Sequence, residues 1–125
     1  MRTFREIVFD DVIVGTATVH TAERFNDSMG LPDQLAIQVV VDQVNASGHD
    51  LTLAIENSSD QRNWVPKSAT PEIANESLSN TQTNVEVASD DGSTPSLAYV
   101  RLAITLAGTN PTAHVKIHVC GRDRG

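Results

Sequence analysis

Four segments of the chain alternate apolar and polar residues with a period of two. The apolar members of the first are Leu35, Ile37, Val39 and Val41, and the pattern recurs over residues 51–56, 99–106 and 114–120. Successive side chains of a β-strand point to opposite faces, so this period indicates strands with one buried and one exposed face. A helix repeats every 3.6 residues, and the alternation therefore predicts β-structure in all four segments.

Polar turn residues separate these segments in two places. Residues 45–50 (Asn-Ala-Ser-Gly-His-Asp) lie between the first two, and residues 108–111 (Gly-Thr-Asn-Pro) lie between the last two. Such residues favour tight turns. We therefore expect the first two segments to form one antiparallel pair and the last two another, each joined by a short loop.

The last two segments also predict which side chains form the core. One set of alternating residues is aliphatic and should face inward: Val100, Leu102, Ile104 and Leu106 in one segment, and Val115, Ile117 and Val119 in the other. The intervening polar residues should lie on the opposite face: Arg101, His114, Lys116 and His118.

The remaining strand patterns are shorter. Residues 7–9, 12–19 and 85–87 are weaker candidates, and the stretch from Ser58 to Asp91 has the composition of loops. Because a compact domain seldom holds so long a structureless stretch, some short elements are expected within it. These are strands around residues 63–65 and 83–87 and one helical turn around residues 71–75. The expected total is about seven or eight strands.

Length and pattern together predict the fold class. A chain of 125 residues has a common size for one domain, so we expect a single domain over residues 1–125. Strands separated by turns, with no helical period of useful length, predict an all-β antiparallel β-sandwich, with the jelly roll as a candidate type. Residues 1–11 are a candidate N-terminal arm, since a terminal strand is easily exchanged with a neighbouring subunit.

The charge of the chain limits its partners. The formal net charge is -7 at pH 7, so broad binding to phosphate backbones is disfavoured and no nucleic-acid contact is expected. The acidity suits a solvated surface, or else a specific acidic docking face. Residues 1–20 lack the long apolar stretch of a secretory signal peptide, and no apolar run approaches the roughly 20 residues of a membrane span. No membrane partner is expected.

Residues with chemical potential do not form a recognisable catalytic or metal-binding motif. Cys120 is the one cysteine, so it can form no internal disulfide and is interpreted as a structural thiol. His114 and His118 would lie about 13 Å apart on a strand, too far to share a zinc ion at about 2 Å from each nitrogen. His20 and His49 lie beside turns and lack a second ligand in register. Hydrolase-elbow, dinucleotide and nucleotide-phosphate motifs are absent, so we expect no enzyme, no catalytic residue, no metal and no cofactor.

Two acidic turns are candidate binding sites. Glu56 and Asp60 flank one turn, and Asp90-Asp91-Gly92 forms another. Paired carboxylates on loops serve glycoside hydrolysis or bind calcium in some proteins. Here the spacing of a calcium loop is incomplete, and plain turns are the favoured interpretation.

The most individual segment of the chain is residues 51–66. A strand is followed by a polar turn containing Ser58 and Asp60, and then by Trp64 at the start of the next strand. This Ser-x-Asp-x-x-x-Trp hairpin resembles one found in small β-sandwich virion proteins of tailed phages, in decoration and tail-associated subunits. The resemblance is confined to this segment and implies a structural role in the virion. Similar hairpins occur in carbohydrate-binding and adhesion domains.

The favoured hypothesis is a non-enzymatic structural or assembly subunit of a phage-like particle, as a capsid, decoration or tail-associated protein. Its partners would be copies of itself or other virion subunits, docked through sheet edges, loops and the N-terminal arm. Its location would be the virion, assembled in the host cytoplasm. The alternative is a carbohydrate-binding or adhesion module that binds a glycan. The candidate ligand or interface residues are Trp64 and Tyr99, as stacking surfaces, and Asp60. An enzyme built from scattered residues is the third hypothesis.

Overall fold

The computed structural model describes residues 3–21, 24–25, 34–90 and 97–122, and within them the chain forms ten β-strands and no helix. No segment of this part of the chain is therefore a helix that could cross a membrane. The strands are β1 (Thr3–Val14), β2 (Ala17–His20), β3 (Arg24–Phe25), β4 (Gln34–Asp42), β5 (Asp50–Ser58), β6 (Val65–Pro66), β7 (Ile73–Ser77), β8 (Asn84–Asp90), β9 (Tyr99–Ala107) and β10 (Thr112–Arg122).

The strands form two antiparallel sheets. Sheet 1 has the order β1-β10-β4-β8, and sheet 2 has the order β2-β9-β5-β6. The short strands β3 and β7 pair with β9 and β5 respectively, so they extend sheet 2. The predicted all-β antiparallel β-sandwich is confirmed.

The core lies between the two sheets and contains the residues that the alternation predicted. Sheet 1 contributes the fully buried residues Val39 on β4 and Ile117 on β10. Sheet 2 contributes Leu53 on β5 and Ile104 on β9, which are also fully buried. The predicted outer residues Arg101, His114, Lys116 and His118 all retain partial exposure. Burying one such aliphatic side chain contributes roughly 1.5–3 kcal/mol, so these four strands supply much of the packing energy.

The predicted strand pairs were wrong. β4 belongs to sheet 1 and β5 to sheet 2, and β9 and β10 are likewise in different sheets. Each connecting loop crosses from one sheet to the other over the end of the core, and it carries buried side chains to do so: Val44 and His49 in one loop, and Pro111 in the other. A crossing loop and a hairpin loop leave the same alternation in the strands, because each strand still buries one face.

Asn45 joins these two crossing loops. Its Nδ2 donates to the carbonyl oxygen of Asn110 at 2.8 Å, and its Oδ1 accepts from the backbone N–H of Thr112 at 3.0 Å. The backbone N–H of Asn45 also donates to the carbonyl oxygen of Thr112 at 3.1 Å. The loops therefore form one hydrogen-bonded end of the sandwich.

The segment predicted as a helical turn, residues 71–75, instead enters strand β7. β7 pairs with β5, and Thr52 Oγ1 both accepts from the N–H of Asn75 at 3.0 Å and donates to its Oδ1 at 3.2 Å. An isolated helical turn gains few hydrogen bonds, whereas the open edge of β5 offers partners for the backbone. The strands expected around residues 63–65 and 83–87 are present as β6 and β8, with shifted bounds.

From Thr3 onward, the candidate arm is the edge strand of its own sheet. β1 pairs with β10 from Thr3 opposite Arg122 to Val14 opposite Thr112, with a register shift between Ile7 and Phe9. Residues 1–2 lie outside the described ranges. Exchange of this strand with a neighbouring subunit stays a prediction.

Candidate functional site

The Ser-x-Asp-x-x-x-Trp segment forms a hydrogen-bonded turn between β5 and β6. The hydroxyl of Ser58 is fully buried, accepts from the N–H of Gln61 at 2.9 Å and donates to Asp60 Oδ1 at 2.9 Å. Asp60 Oδ1 also accepts from the backbone N–H groups of Arg62 and Asn63, each at 2.9 Å. Short polar side chains favour such local bonds to the backbone, which is why this sequence turns here.

The carboxylate of Asp60 is held in its ionised form by this turn. The backbone N–H groups of Asn63 and Arg62 are the main cause, and they lower the pKa of Asp60 well below its usual range. The side chain of Asn63 adds a further bond, from Nδ2 to Oδ2, at 2.8 Å. The predicted candidate Asp60 therefore bonds to its own turn, and its role in the structure is to shape the loop.

The same turn positions Trp64 over the outer face of sheet 2. The indole Nε1 donates to the carbonyl oxygen of Gln61 at 3.3 Å, which fixes the ring relative to the turn. The guanidinium carbon of Arg101, on β9, lies 4.1 Å from the centre of the Trp64 ring. This is a cation–π contact, and it covers one face of the indole.

Arg101 connects Trp64 to two further side chains. Its Nε donates to Glu56 Oε1 at 2.8 Å, across the register pair that β5 and β9 form at these two residues. Glu56 Oε1 also lies 3.5 Å from Nε2 of His20, on β2. We call His20, Glu56, Trp64 and Arg101 the outer cluster. It spans sheet 2 from β2 to the start of β6 and places an aromatic ring beside a row of three ionisable side chains.

Tyr99 lies beside the outer cluster, at one end of β9. It is half-buried, and its register partner on β5 is Ser58, the first residue of the turn. The structure thus brings the three predicted candidates Asp60, Trp64 and Tyr99 to one end of sheet 2. Arg101 lies on the outer face, as the alternation predicts, but its contact with Trp64 was not predicted. No local signal could have revealed it, because β9 and β5 are far apart in the sequence.

The histidines singled out in the sequence lie in different environments. His114 and His118 lie on the outer face of sheet 1 as expected, but His114 contacts two carboxylates, from Asp10 and Asp42. His49 is buried, and its Nε2 has no hydrogen-bond partner within the part of the chain that the structure describes. Among the described residues no group of three or more His, Cys, Asp or Glu side chains is placed to hold a metal ion. Asp91 and Gly92 of the second acidic turn lie outside the described ranges.

Two open depressions lie away from the outer cluster. One, of about 410 Å³, is on the outer face of sheet 1 beside Arg5, His118 and Cys120. The other, of about 640 Å³, is polar and lies beside Ser47 and residues 77–79 and 82–86. Of the outer cluster, the side chains of His20, Glu56 and Arg101 are partly exposed, at 36%, 20% and 18%.

The chain resembles solved viral capsid structures. It matches the infectious bursal disease virus particle with a TM-score of 0.68 and 13% identity, over 97% of this chain and 31% of the viral chain. The match to the VP2 subviral particle of that virus has a TM-score of 0.63 and 15% identity, over 97% and 32% of the two chains. The chain has a capsid-like β-sandwich fold. It spans about a third of the viral chains, and at this identity the likeness shows the fold alone.

A carbohydrate-binding domain is also similar. The CBM22-1 xylan-binding domain of Paenibacillus barcinonensis Xyn10C matches with a TM-score of 0.58 and 10% identity, over 96% of this chain and 97% of that domain. Comparison with protein-family models gives no match, and neither does comparison with curated proteins. At 10–15% identity, these likenesses to viral and carbohydrate-binding structures show the β-sandwich fold alone.

Proposed function

We propose that this chain is a non-enzymatic structural subunit of a phage-like particle, resident in the virion and assembled in the host cytoplasm. The observation that carries the proposal is the overlap of nearly the whole chain, 97%, with one part of a protein that forms icosahedral virus particles. The assignment to a phage-like particle rests on the Ser58-Asp60-Trp64 hairpin and its resemblance to decoration and tail-associated subunits.

The strand order supports a finer fold type, the jelly roll. β1 pairs with β10 and β2 with β9, while β4 pairs with β8 and β5 with β6 and β7. Strands from the start of the chain thus pair with strands from its end, and the strands between them pair with each other. Two Greek keys produce this order. We infer a jelly-roll sandwich, an architecture common in capsid domains.

The surfaces that would dock are the outer cluster and the edge of sheet 1. Tryptophan and arginine are the residues that most often dominate binding energy at protein interfaces, and both lie in the outer cluster. Strand β8 is an edge of sheet 1 on which Val85 and Val87 are 51% and 68% exposed. An exposed edge strand with apolar side chains is a template for pairing with another chain. The negative net charge suits an outer position, away from a genome.

Size-exclusion chromatography with light scattering, over a series of protein concentrations, tests this proposal. We expect the protein to self-associate or to bind a shell or tail component, and Val87→Lys to weaken that association because a lysine blocks an edge. Thr109→Lys, which adds the same charge to an exposed loop, is the matched control and should behave like the native protein. A strictly monomeric protein that binds no such component would contradict the proposal.

The second candidate function is glycan binding. It is favoured by the match to a xylan-binding domain of nearly the same length as this chain. The alignment covers 96% of this chain and 97% of that domain. Trp64 would stack a sugar ring on the indole face that Arg101 does not cover, with Tyr99 nearby.

A glycan array and affinity electrophoresis in xylan test this second function. Trp64→Ala and Tyr99→Ala should each weaken binding, whereas Val65→Ala, a change to the exposed residue next to Trp64, should not. Absence of binding to any glycan, or binding that is unaffected by both aromatic substitutions, removes these residues from the role.

A further inference from the structure

His114 is the middle member of a three-strand bridge on the outer face of sheet 1. Its Nε2 lies 2.6 Å from Asp10 Oδ1 on β1, and its Nδ1 lies 2.8 Å from Asp42 Oδ1 on β4. The three side chains are partly exposed, with 28% of His114, 49% of Asp10 and 41% of Asp42 accessible. One imidazole ring therefore joins the edge strand β1 to the strand two places into the sheet.

Both contacts can be hydrogen bonds only when the ring carries two protons. An ionised carboxylate is an acceptor, and a neutral imidazole has one N–H donor and one acceptor nitrogen. In the neutral ring, one nitrogen lone pair would therefore face a carboxylate oxygen. The geometry is that of an imidazolium held between two carboxylates, and the bonds to Asp10 and then Asp42 raise the pKa of His114.

We propose that His114 is a proton-dependent latch that holds the C-terminal half of β1, residues 10–14, against β10. The proposal stands on the position of the ring between Asp10 and Asp42 and on the place of β1 at the edge of the sheet. It does not depend on the proposed function of the chain.

Loss of the second proton from His114 should loosen the edge strand β1. β4 is held by neighbours on both sides, β10 and β8, whereas β10 is the one strand that pairs with β1 among the described residues of sheet 1. A neutral ring can donate to one carboxylate alone. The latch opens in the tautomer that keeps the Nδ1–H bond to Asp42 and turns the Nε2 lone pair towards Asp10. Ile13 stays anchored in the core, so the change is a local loosening of β1.

The other charged groups around the latch are Lys116 and Asp11. Lys116 is the register partner of Asp10, and its positive charge will keep part of the attraction between β10 and β1 when His114 is neutral. Asp11 lies next to Asp10 on β1, and its Oδ1 accepts from the N–H of Val12 at 2.8 Å. On β4 the facing charge is Asp42 itself. When the ring is neutral, no positive charge lies between the carboxyl groups of Asp10 and Asp42, so their contact with the ring is weaker.

The direction of the pH dependence follows from the raised pKa. A folded-state pKa above the ordinary value, near 6.5, gives a contribution to stability that is complete below that value and disappears as the pH rises through the folded-state pKa. The latch is therefore closed in mildly acidic solution and opens on the alkaline side.

NMR of the native protein, with ¹⁵N-labelled imidazole rings, tests the protonation state directly. We expect both ring nitrogens of His114 to be protonated at about pH 6, and the Nδ1–H tautomer to remain at about pH 9. A neutral ring at about pH 6, or the Nε2–H tautomer at high pH, overturns the proposal.

Hydrogen exchange of the backbone amides tests the mechanical consequence. After correction for intrinsic rates, protection of residues 10–14 should fall about three- to tenfold between about pH 6 and about pH 9, while protection of β9 stays constant. His114→Gln and Asp10→Asn should each remove this pH dependence. His118→Gln is the matched control, because the register partners of His118 are Ile7 and Gln38, and it should keep the native profile. A fall in protection that persists in His114→Gln, or one that extends equally to β9, contradicts a latch at this residue.

Discussion

The guanidinium of Arg101 is placed between the indole of Trp64, 4.1 Å from the ring centre, and the carboxylate of Glu56, 2.8 Å from Nε. The side chains of Arg101 and Glu56 are 18% and 20% exposed. Arg101 therefore gives up part of its hydration for two partners at once. This arrangement holds the aromatic ring of the outer cluster on the sheet, together with the bond from the indole Nε1 to the carbonyl oxygen of Gln61.

A double-mutant cycle measures this contact. Trp64→Ala and Arg101→Ala should show a coupling free energy of about 0.5–1 kcal/mol, the range of a partly exposed cation–π pair. Urea denaturation of the native protein, both single variants and the double variant gives the value. Arg101→Lys should retain part of the coupling, since an ammonium keeps the charge but loses the planar stacking. Additive single effects would show that the two side chains act independently.

Gly108 should not tolerate a side chain. A Cβ at this position would lie 2.1 Å from Nδ1 of the buried His49, and the φ of +148° is itself unfavourable for other residues. We expect Gly108→Ala to reduce the free energy of unfolding by more than the roughly 1–3 kcal/mol of backbone strain alone. Thermal and urea denaturation provide the measurement.

Gly48→Ala is the matched control for Gly108→Ala. Its φ is +97°, but among the described residues a Cβ there would meet no atom within 4 Å other than those of its chain neighbours, so the backbone strain is the main effect. The difference between the two variants isolates the clash with His49. Truncating that ring, in the double variant His49→Ala with Gly108→Ala, should recover part of the loss. Equal effects at both glycines would mean that the loop moves to accommodate the new methyl group.

Alanine substitutions on the inward face of β10 should lower the free energy of unfolding far more than those on its outward face. Ile117 is fully buried, and Ile117→Ala is expected to cost about 2–5 kcal/mol, as is Ile104→Ala on the facing strand β9. Lys116→Ala should stay within about 0.5 kcal/mol, because that side chain lies on the outer face. Chemical denaturation of the three variants tests the register of the strand. A damaging Lys116→Ala with a silent Ile117→Ala would require the strand to be turned over.

The Asp60 turn should lose stability in acid. The folded-state pKa of Asp60 is lowered from its ordinary value near 3.9 by the N–H groups of Asn63 and Arg62. Its contribution is thus complete above about pH 4 and is lost as the pH falls through the folded-state value. Asp60→Asn should lower the urea midpoint at neutral pH. The difference in urea midpoint between this variant and the native protein should become smaller towards about pH 2.

Two comparisons make the Asp60 test specific. Asp60→Ala should be more damaging than Asp60→Asn, because the amide keeps one oxygen that can accept from Arg62 and Asn63. Asp11→Asn changes an exposed carboxylate of the edge strand outside the turn, and it controls for the change in net charge. If the gap between native and Asp60→Asn protein is independent of pH, the carboxylate does not act through its charge.

The order of residues by itself determined that the four long alternating segments are strands and which side of each is buried, whereas it did not predict the short strand β7. Val39 and Ile117 are buried, while Gln38 and Lys116 are not, because a period of two sorts side chains by face whatever the strand pairs with. The turn at Ser58 and Asp60 was also predictable, because it is local. Its hydrogen bonds join residues at most three apart, so the sequence contains both partners.

Only the tertiary structure decided which strands pair and which outer side chains meet. A short loop such as residues 108–111 can close a hairpin or cross between sheets, and β9 and β10 show the same alternation in either case. The outer face of each sheet is then assembled from strands that are distant in the chain. Arg101 and Glu56 are 45 residues apart and His114 and Asp10 are 104 apart, and their contacts exist because strand register, set by packing of the core, brings them side by side.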